Sequence, residues 1–214
     1  MIGMLALTEV DSKPYVDMVE RLGGVPRLIC LDSNGVDLEK ELELIDGIVL
    51  FGDSFESTAL DETTIYHLWE KLLKYALSRD IPVLGIGAGI HLLNLVFGGS
   101  LSSDVNGHQD FDQDGNDISA YHRIYISPGS KLAAIVGSGG FVRVNSRHKF
   151  GIRESNKSSY LLASAYSLDD GVIEGLESPD HTWVIGVQFH PERRMELPPH
   201  FERLFQSFIE RVSE

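Results

Sequence analysis

The sequence predicts an α/β protein of three layers, a mostly parallel central sheet flanked by helices, with antiparallel strands added in the C-terminal half. Three observations predict it. Short apolar runs alternate with helical periodicity through the first hundred residues. Short β-like runs without intervening helices follow in residues 121–188, and an amphipathic helix closes the chain.

In order, residues 1–8 form a first buried strand. Tyr15, Met18, Val19 and Leu22 then lie at helical spacing and stop at Gly23-Gly24. Val25 to Leu31 and Asp46 to Phe51 are the next strands. A long helix follows, with Ile65, Leu68, Trp69, Leu72, Leu73 and Ala76 on one face. Pro82 to Ile86 is a short, wholly apolar strand, and a helix from about Gly89 to Phe97 stops at Gly98-Gly99. Residues 102–120 are polar and acidic and read as an exposed loop. Strand candidates then fall at Tyr121 to Ile126, Phe141 to Val144, Tyr160 to Tyr166, Val172 to Leu176 and Trp183 to Gln188. Pro198-Pro199 marks the start of the last helix, whose stripe is Phe201, Leu204, Phe205, Phe208, Ile209 and Val212. With no repeat and no long linker, residues 1–214 read as one domain.

Bulk chemistry narrows the function. The chain has 214 residues, 43% of them hydrophobic, enough for a core without covalent staples. Its formal net charge of −14 argues against nucleic acid or an anionic membrane surface as partner, since both demand a basic patch. Cys30 is the only cysteine, so no internal disulfide forms, which suits a reducing compartment. The apolar N-terminus lacks a basic leader region, and no apolar run approaches the roughly 18 residues of a membrane span. The expected location is the cytoplasm.

The chemistry centres on Gly85-Ile86-Gly87-Ala88-Gly89. A buried strand turning abruptly into a helix lifts the turn residue above the sheet's carboxyl edge, with neighbouring N–H groups at the helix's positive end. Downstream, the strand Val184 to Phe189 delivers His190 and, two residues later, Glu192, a spacing that lets the carboxylate orient the imidazole. Upstream, the strand from Asp46 ends at Gly52. Together these are parts of an acyl-transfer site: an oxyanion hole from the N–H groups of Gly52 and Ala88, and a His190–Glu192 pair.

These segments resemble the class I glutamine amidotransferases, and most closely the γ-glutamyl-γ-aminobutyrate hydrolase branch, the C26 peptidase family. The resemblance rests on Asp46-Gly47 with Gly52-Asp53, on Gly85 to Asn94 with Gly98-Gly99-Ser100-Leu101, on Val144-Asn145-Ser146-Arg147-His148, and on Gly186 to Glu192. The N-terminal Tyr15 to Val19 with Gly23 to Pro26 adds to it. It implies a flavodoxin-like three-layer fold, a Cys–His–Glu triad that cleaves a γ-glutamyl amide through a thioester, and no cofactor. It also implies that Asp53, His91 and His148 line the cleft for a small γ-glutamyl or amino-acid-like ligand.

The departures are as informative. Gly87 stands where the family has cysteine, Ala88 where arginine is usual and His91 where glutamine is usual. Asp53 replaces a glycine, and Lys149-Phe150 replaces a histidine and a glutamine. Cys30 sits in an apolar run and reads as a core thiol. Loss of such a nucleophile costs about a millionfold in rate. The favoured expectation is therefore a ligand-binding or regulatory protein, with a second copy or another protein as partner. The alternative is a hydrolase rebuilt around His190, Glu192 and either Ser54 or an activated water. No metal is expected. Asp110, Asp112, Asp114, Asn116 and Asp117 read as a solvated acidic loop more readily than as a calcium site. His91, His148 and His190 read as hydrogen-bonded residues more readily than as ligands of one ion.

Overall fold

The computed structural model describes residues 1–6, 12–29, 38–52, 62–102, 105 and 107–214, without the side chains at 38, 39, 62–66, 68 and 117. Cys30, Asp53 and Ser54, on which three of the expectations above turn, lie outside the described residues.

A nine-stranded sheet organises the chain. Five of its strands are β1 (Ile2–Ala6), β2 (Pro26–Ile29), β3 (Gly47–Gly52), β4 (Val83–Gly87) and β11 (Val184–Val187). They lie side by side in the order β2-β1-β3-β4-β11, all parallel. The antiparallel remainder runs β11-β10-β9-β7-β8, formed by β10 (Ile173–Glu177), β9 (Leu162–Ser167), β7 (Ala120–Ile126) and β8 (Gly140–Ser146). The sheet is thus mixed in the way the sequence predicted, parallel where helices intervene and antiparallel where they do not.

The parallel strands inside the edge strand β2 are buried on both faces because alternate side chains feed two cores. Val49, Phe51, Leu84 and Ile86 point into one, closed by helices α1 (Lys13–Arg21) and α6 (Arg203–Val212) through Met18, Val19, Leu204, Phe205 and Phe208. Ile48, Leu50 and Val83 point into the other, against Leu42 of α2 (Leu38–Glu43), Trp69, Leu72, Leu73 and Ala76 of α3 (Glu62–Ser78), and Leu92 and Leu93 of α4 (Ala88–Val96). The stripe on α6 that the sequence displayed is therefore the lid of the first core. Pro199 opens a 3₁₀ turn over Pro199–Glu202 ahead of it.

Two helices were not anticipated. Both α2 and α5 (Lys131–Val136) have six residues, too few to display a period. α5 is held at its start by Ser130, whose Oγ accepts from the Ala133 N–H at 3.0 Å. The carboxylate of Glu177 reaches it from β10 and accepts from the N–H groups of Lys131 and Leu132 at 3.1 and 3.3 Å.

The acidic stretch also departs from expectation. Within it, β5 (Asp110–Phe111) and β6 (Asp117–Ile118) form a small hairpin. Asp112 closes its turn, Oδ1 accepting from the N–H groups of Asp114 and Asn116 and Oδ2 from the Asn116 side chain. Just before the hairpin the chain dives inward: Val105 and His108 are buried, and the His108 carbonyl accepts from the His148 N–H at 3.0 Å.

α4 approaches the sheet so closely that backbone meets backbone. A Cβ on Gly89 would stand 2.4 Å from the Leu50 carbonyl oxygen of β3. Gly89→Ala must push the helix off the sheet and is expected to cost about 1–3 kcal/mol, read as a lower urea midpoint with an unchanged slope.

Candidate active site

β3, β4 and β11 end at the same level, with Gly52 paired to Gly87 and Val187 to Ile86. The carboxyl edge of a parallel sheet is where such folds place their ligands. Gly87 sits there as the residue between β4 and α4, at φ 59° and ψ −115°. Residues with a side chain resist that conformation, which costs them about 1–3 kcal/mol. The abrupt strand-to-helix turn expected at Gly85 to Gly89 is therefore present, with its tip occupied by the one residue that adopts it without strain.

What faces the tip sharpens the picture. A Cβ at position 87 would stand 3.1 Å from His190 Cε1, so the imidazole lies beside the elbow. It would also stand 2.4 Å from the Gly52 carbonyl oxygen. β3 thus presents the Gly52 carbonyl, an acceptor, to the tip of the elbow. The Ala88 N–H, at the first position of α4, keeps the free donor character of a helix start.

The histidine–carboxylate pair is built as the spacing suggested. His190 Nδ1 lies 2.8 Å from Glu192 Oε1, and both side chains are buried. In that contact Nδ1–H donates to the carboxylate, and in the neutral ring Nε2 carries the lone pair. Tyr15 stacks on Phe51 at 4.3 Å and brings its hydroxyl to 3.4 Å from the same Nδ1. Asn145 clamps the backbone underneath. Its Oδ1 accepts from the His190 N–H at 2.8 Å, and its Nδ2 donates to the His190 carbonyl at 3.1 Å and to Glu196 Oε2 at 2.8 Å. The Val144-Asn145-Ser146 segment thus serves the site through Asn145.

The two other histidines expected at the cleft have different partners. His91, on the first turn of α4, places Nε2 2.6 Å from Gln188 Oε1. Burial pushes its pKa down to about 4, helped by the charge of His148 and opposed by Gln188 and Glu174. His148 belongs to a second cluster with His108, His122 and Glu174, all buried. Glu174 is drawn below the usual carboxylate range although its burial acts the other way, because the imidazoles of His122 and His148 outweigh desolvation. His122 is raised, desolvation again being outweighed by Glu174, and His108 is lowered by burial and by His148.

Sequence reading missed Glu174, His108, His122 and Tyr15 as site-forming residues. Only Glu174 carried a visible signal, a carboxylate inside the apolar run Val172 to Leu176. Charged groups are almost never fully buried without a partner.

Two predictions follow from this packing. Asn145→Ala removes two buried hydrogen bonds and one half-buried one and is expected to cost about 2–4 kcal/mol in chemical denaturation. Neutral in the fold with a pKa of about 4, against about 6.5 when unfolded, His91 contributes stability that is complete above about pH 6.5 and lost as pH falls toward 4. His91→Gln removes that contribution. Over this window the native chain is expected to lose about 3 kcal/mol more than His91→Gln in denaturation series.

The comparisons with known proteins agree with this geometry. A model of the Peptidase C26 family matches residues 6–192. A Schizosaccharomyces pombe protein whose name assigns it provisionally to the glutamine amidotransferases is 35% identical, over 94% of this chain and 82% of its own. The crystal structure of a Thermotoga maritima glutamine amidotransferase superposes with a TM-score of 0.71 at 18% identity, covering 100% of this chain and 98% of that one. The glutaminase domain of Trypanosoma brucei CTPS gives 0.67 at 18% identity, covering 99% and 93%. At those identities the two structures speak for the fold alone. With the family match spanning most of the chain, the protein belongs to the peptidase C26 family and has the glutamine amidotransferase-like fold.

Proposed function

We propose that this chain is a single-domain member of its family that binds a small γ-glutamyl or amino-acid-like ligand without cleaving it, and acts as a sensor or as a subunit of a larger assembly. The observation that carries this reading is the elbow. Gly87 occupies its tip, in the family's cysteine position by the motif around it, and offers no atom that attacks a carbonyl carbon. The Gly52 carbonyl fills the space a side chain there would enter. With an acceptor facing the elbow, a negatively charged tetrahedral intermediate meets repulsion on one side.

His190, Glu192 and the Ala88 N–H then serve as binding groups. The lone pair on His190 Nε2 accepts from a ligand's ammonium or amide N–H, and the start of α4 receives a carboxylate. His91, through Gln188, belongs to the same proposed cleft. Among the described residues no helix is long and apolar enough to cross a membrane, in keeping with action in the cytoplasm on a dissolved ligand.

A rebuilt hydrolase is the rival reading, favoured by one observation: the His190–Glu192 contact of 2.8 Å is intact. Ammonia and glutamate release from glutamine and from γ-glutamyl-γ-aminobutyrate separates the two. The purified protein is expected to release neither above buffer, while thermal shift with glutamine, glutamate and γ-glutamyl amines reports binding. Turnover that His190→Ala abolishes would overturn the proposal, and Ser54→Ala would then identify or dismiss the serine. Gly87→Cys alone is expected to destabilise the fold by about 1–3 kcal/mol and to restore no turnover, because the Gly52 peptide blocks the new side chain. A fully active Gly87→Cys protein would show that this peptide turns over readily.

A further inference from the structure

The cluster behind the elbow has a geometry that hydrogen bonding does not account for. Three imidazole nitrogens converge on one carboxylate oxygen, Glu174 Oε1: His122 Nε2 at 3.2 Å, His108 Nδ1 at 3.6 Å and His148 Nε2 at 3.6 Å. All four side chains are buried, Glu174 completely. Yet neither oxygen of Glu174, neither nitrogen of His122 and not Nε2 of His148 makes a hydrogen bond of acceptable geometry. An ionised carboxylate with unsatisfied oxygens in a protein interior is costly.

The outer contacts of two rings determine what faces that oxygen. His148 Nδ1 lies 2.8 Å from the Phe150 carbonyl, an acceptor only, so this nitrogen carries a proton, and in the neutral ring Nε2 holds the lone pair. His108 Nε2 lies 3.3 Å from Asp170 Oδ2, so it too donates outward, and Nδ1 turns its lone pair inward. Ser146 Oγ donates to the His108 carbonyl at 2.9 Å and stands 3.3 Å from that Nδ1, where its lone pair would accept only if the ring were protonated. With both rings neutral, two lone pairs face an anionic oxygen. That repels unless a positive charge sits among them.

We propose that His108, His122, His148 and Glu174 form a binding site for a divalent transition-metal ion, zinc by its donor set. The ligand atoms of His108, His122 and Glu174 lie within 4.8 Å of one another. Bonds of roughly 2.0–2.1 Å at tetrahedral angles put neighbouring ligand atoms about 3.3 Å apart, which the separations of 3.2 to 3.6 Å around Glu174 Oε1 approach. Three imidazoles and one carboxylate suit zinc better than calcium or magnesium, which take oxygen ligands. Asp170 behind His108 and the Phe150 carbonyl behind His148 are the outer partners that set the tautomer of metal-bound imidazole. His108, His122 and Glu174 form the core of the site. His148 Nε2, 3.6 Å from Glu174 Oε1, is placed to move in as the fourth ligand, which would close the coordination sphere and make the ion's role structural. It ties the segment before the β5–β6 hairpin, through His108, to β7 through His122, to the end of β8 through His148 and to β10 through Glu174. The Glu174 carbonyl accepts from the Gln188 N–H at 3.0 Å, which joins this site to the strand that carries His190.

The rival occupant is a proton on His122, forming a buried ion pair with Glu174. The two are separated on the full chain, purified without a histidine tag and stripped with chelator. Zinc is expected to bind at one equivalent by elemental analysis and to raise the thermal midpoint by roughly 5–10 °C at a hundredfold excess over its dissociation constant. Cobalt substituted for zinc is expected to show the intense visible bands of a tetrahedral site. Glu174→Gln and His122→Ala are expected to lose stoichiometric binding, while His190→Ala keeps it. A native chain that takes up no zinc and shows no shift overturns the proposal. So does binding that survives Glu174→Gln or that disappears in His190→Ala, since the ion would then sit elsewhere. Should the cluster variants fail to fold, the cobalt spectrum of the native chain decides.

Discussion

The close contact between the start of α4 and the ends of β3 and β4 is the constraint on which the rest of this structure depends. A helix normally rests on a sheet through side chains. Here, a Cβ on Gly89 would stand 2.4 Å from the Leu50 carbonyl oxygen and one on Gly85 2.8 Å from the Gly89 carbonyl, so only hydrogens fit between the backbones. This proximity aims the first N–H groups of α4 at the carboxyl edge and seats Gly87 next to His190. It also lets Trp69, Leu72 and Leu92 share one core with Ile48 and Leu50.

Around that contact, buried polar side chains do work that apolar packing leaves undone. Asn145 fixes the backbone of His190. Asn94 plays the same part at the far end of α4: its Nδ2 donates to the carbonyls of Ser100 and Asn156, and its Oδ1 accepts from the Ser158 N–H at 2.8 Å. Each amide ties a loop to a regular element with the hydrogen bonds that loop would otherwise exchange with water. The two motif asparagines are thus explained by backbone satisfaction, and the site they frame inherits its rigidity from them.

The elbow and the histidine cluster stand on neighbouring parts of one sheet but obey different logic. At the elbow, His190 and Glu192 meet in one aligned contact of 2.8 Å, and the reacting position is blank. In the cluster, His108, His122, His148 and Glu174 crowd around a point where no donor meets an acceptor in good alignment. The first arrangement suits the binding of a small polar ligand, the second the binding of a cation. His91 and Gln188 are linked at 2.6 Å, and burial favours the neutral form of His91.

Much of the fold was legible in the sequence, because buried strands, amphipathic helices and glycine stops leave periodic or local marks. The alternation up to Gly99, the stripe on α6 and the pair His190 and Glu192 two residues apart are of that kind. Short elements such as α2 and α5 left too little periodicity, and α5 depends on Glu177, far away in the chain. The orientation of the Gly52 peptide and the gathering of His108, His122, His148 and Glu174 from four separate segments left no mark. Composition and spacing record what each residue is and how far along the chain it stands. Which carbonyl faces the elbow, and which lone pairs face one carboxylate, depends on distances across the sheet that only the packed structure decides.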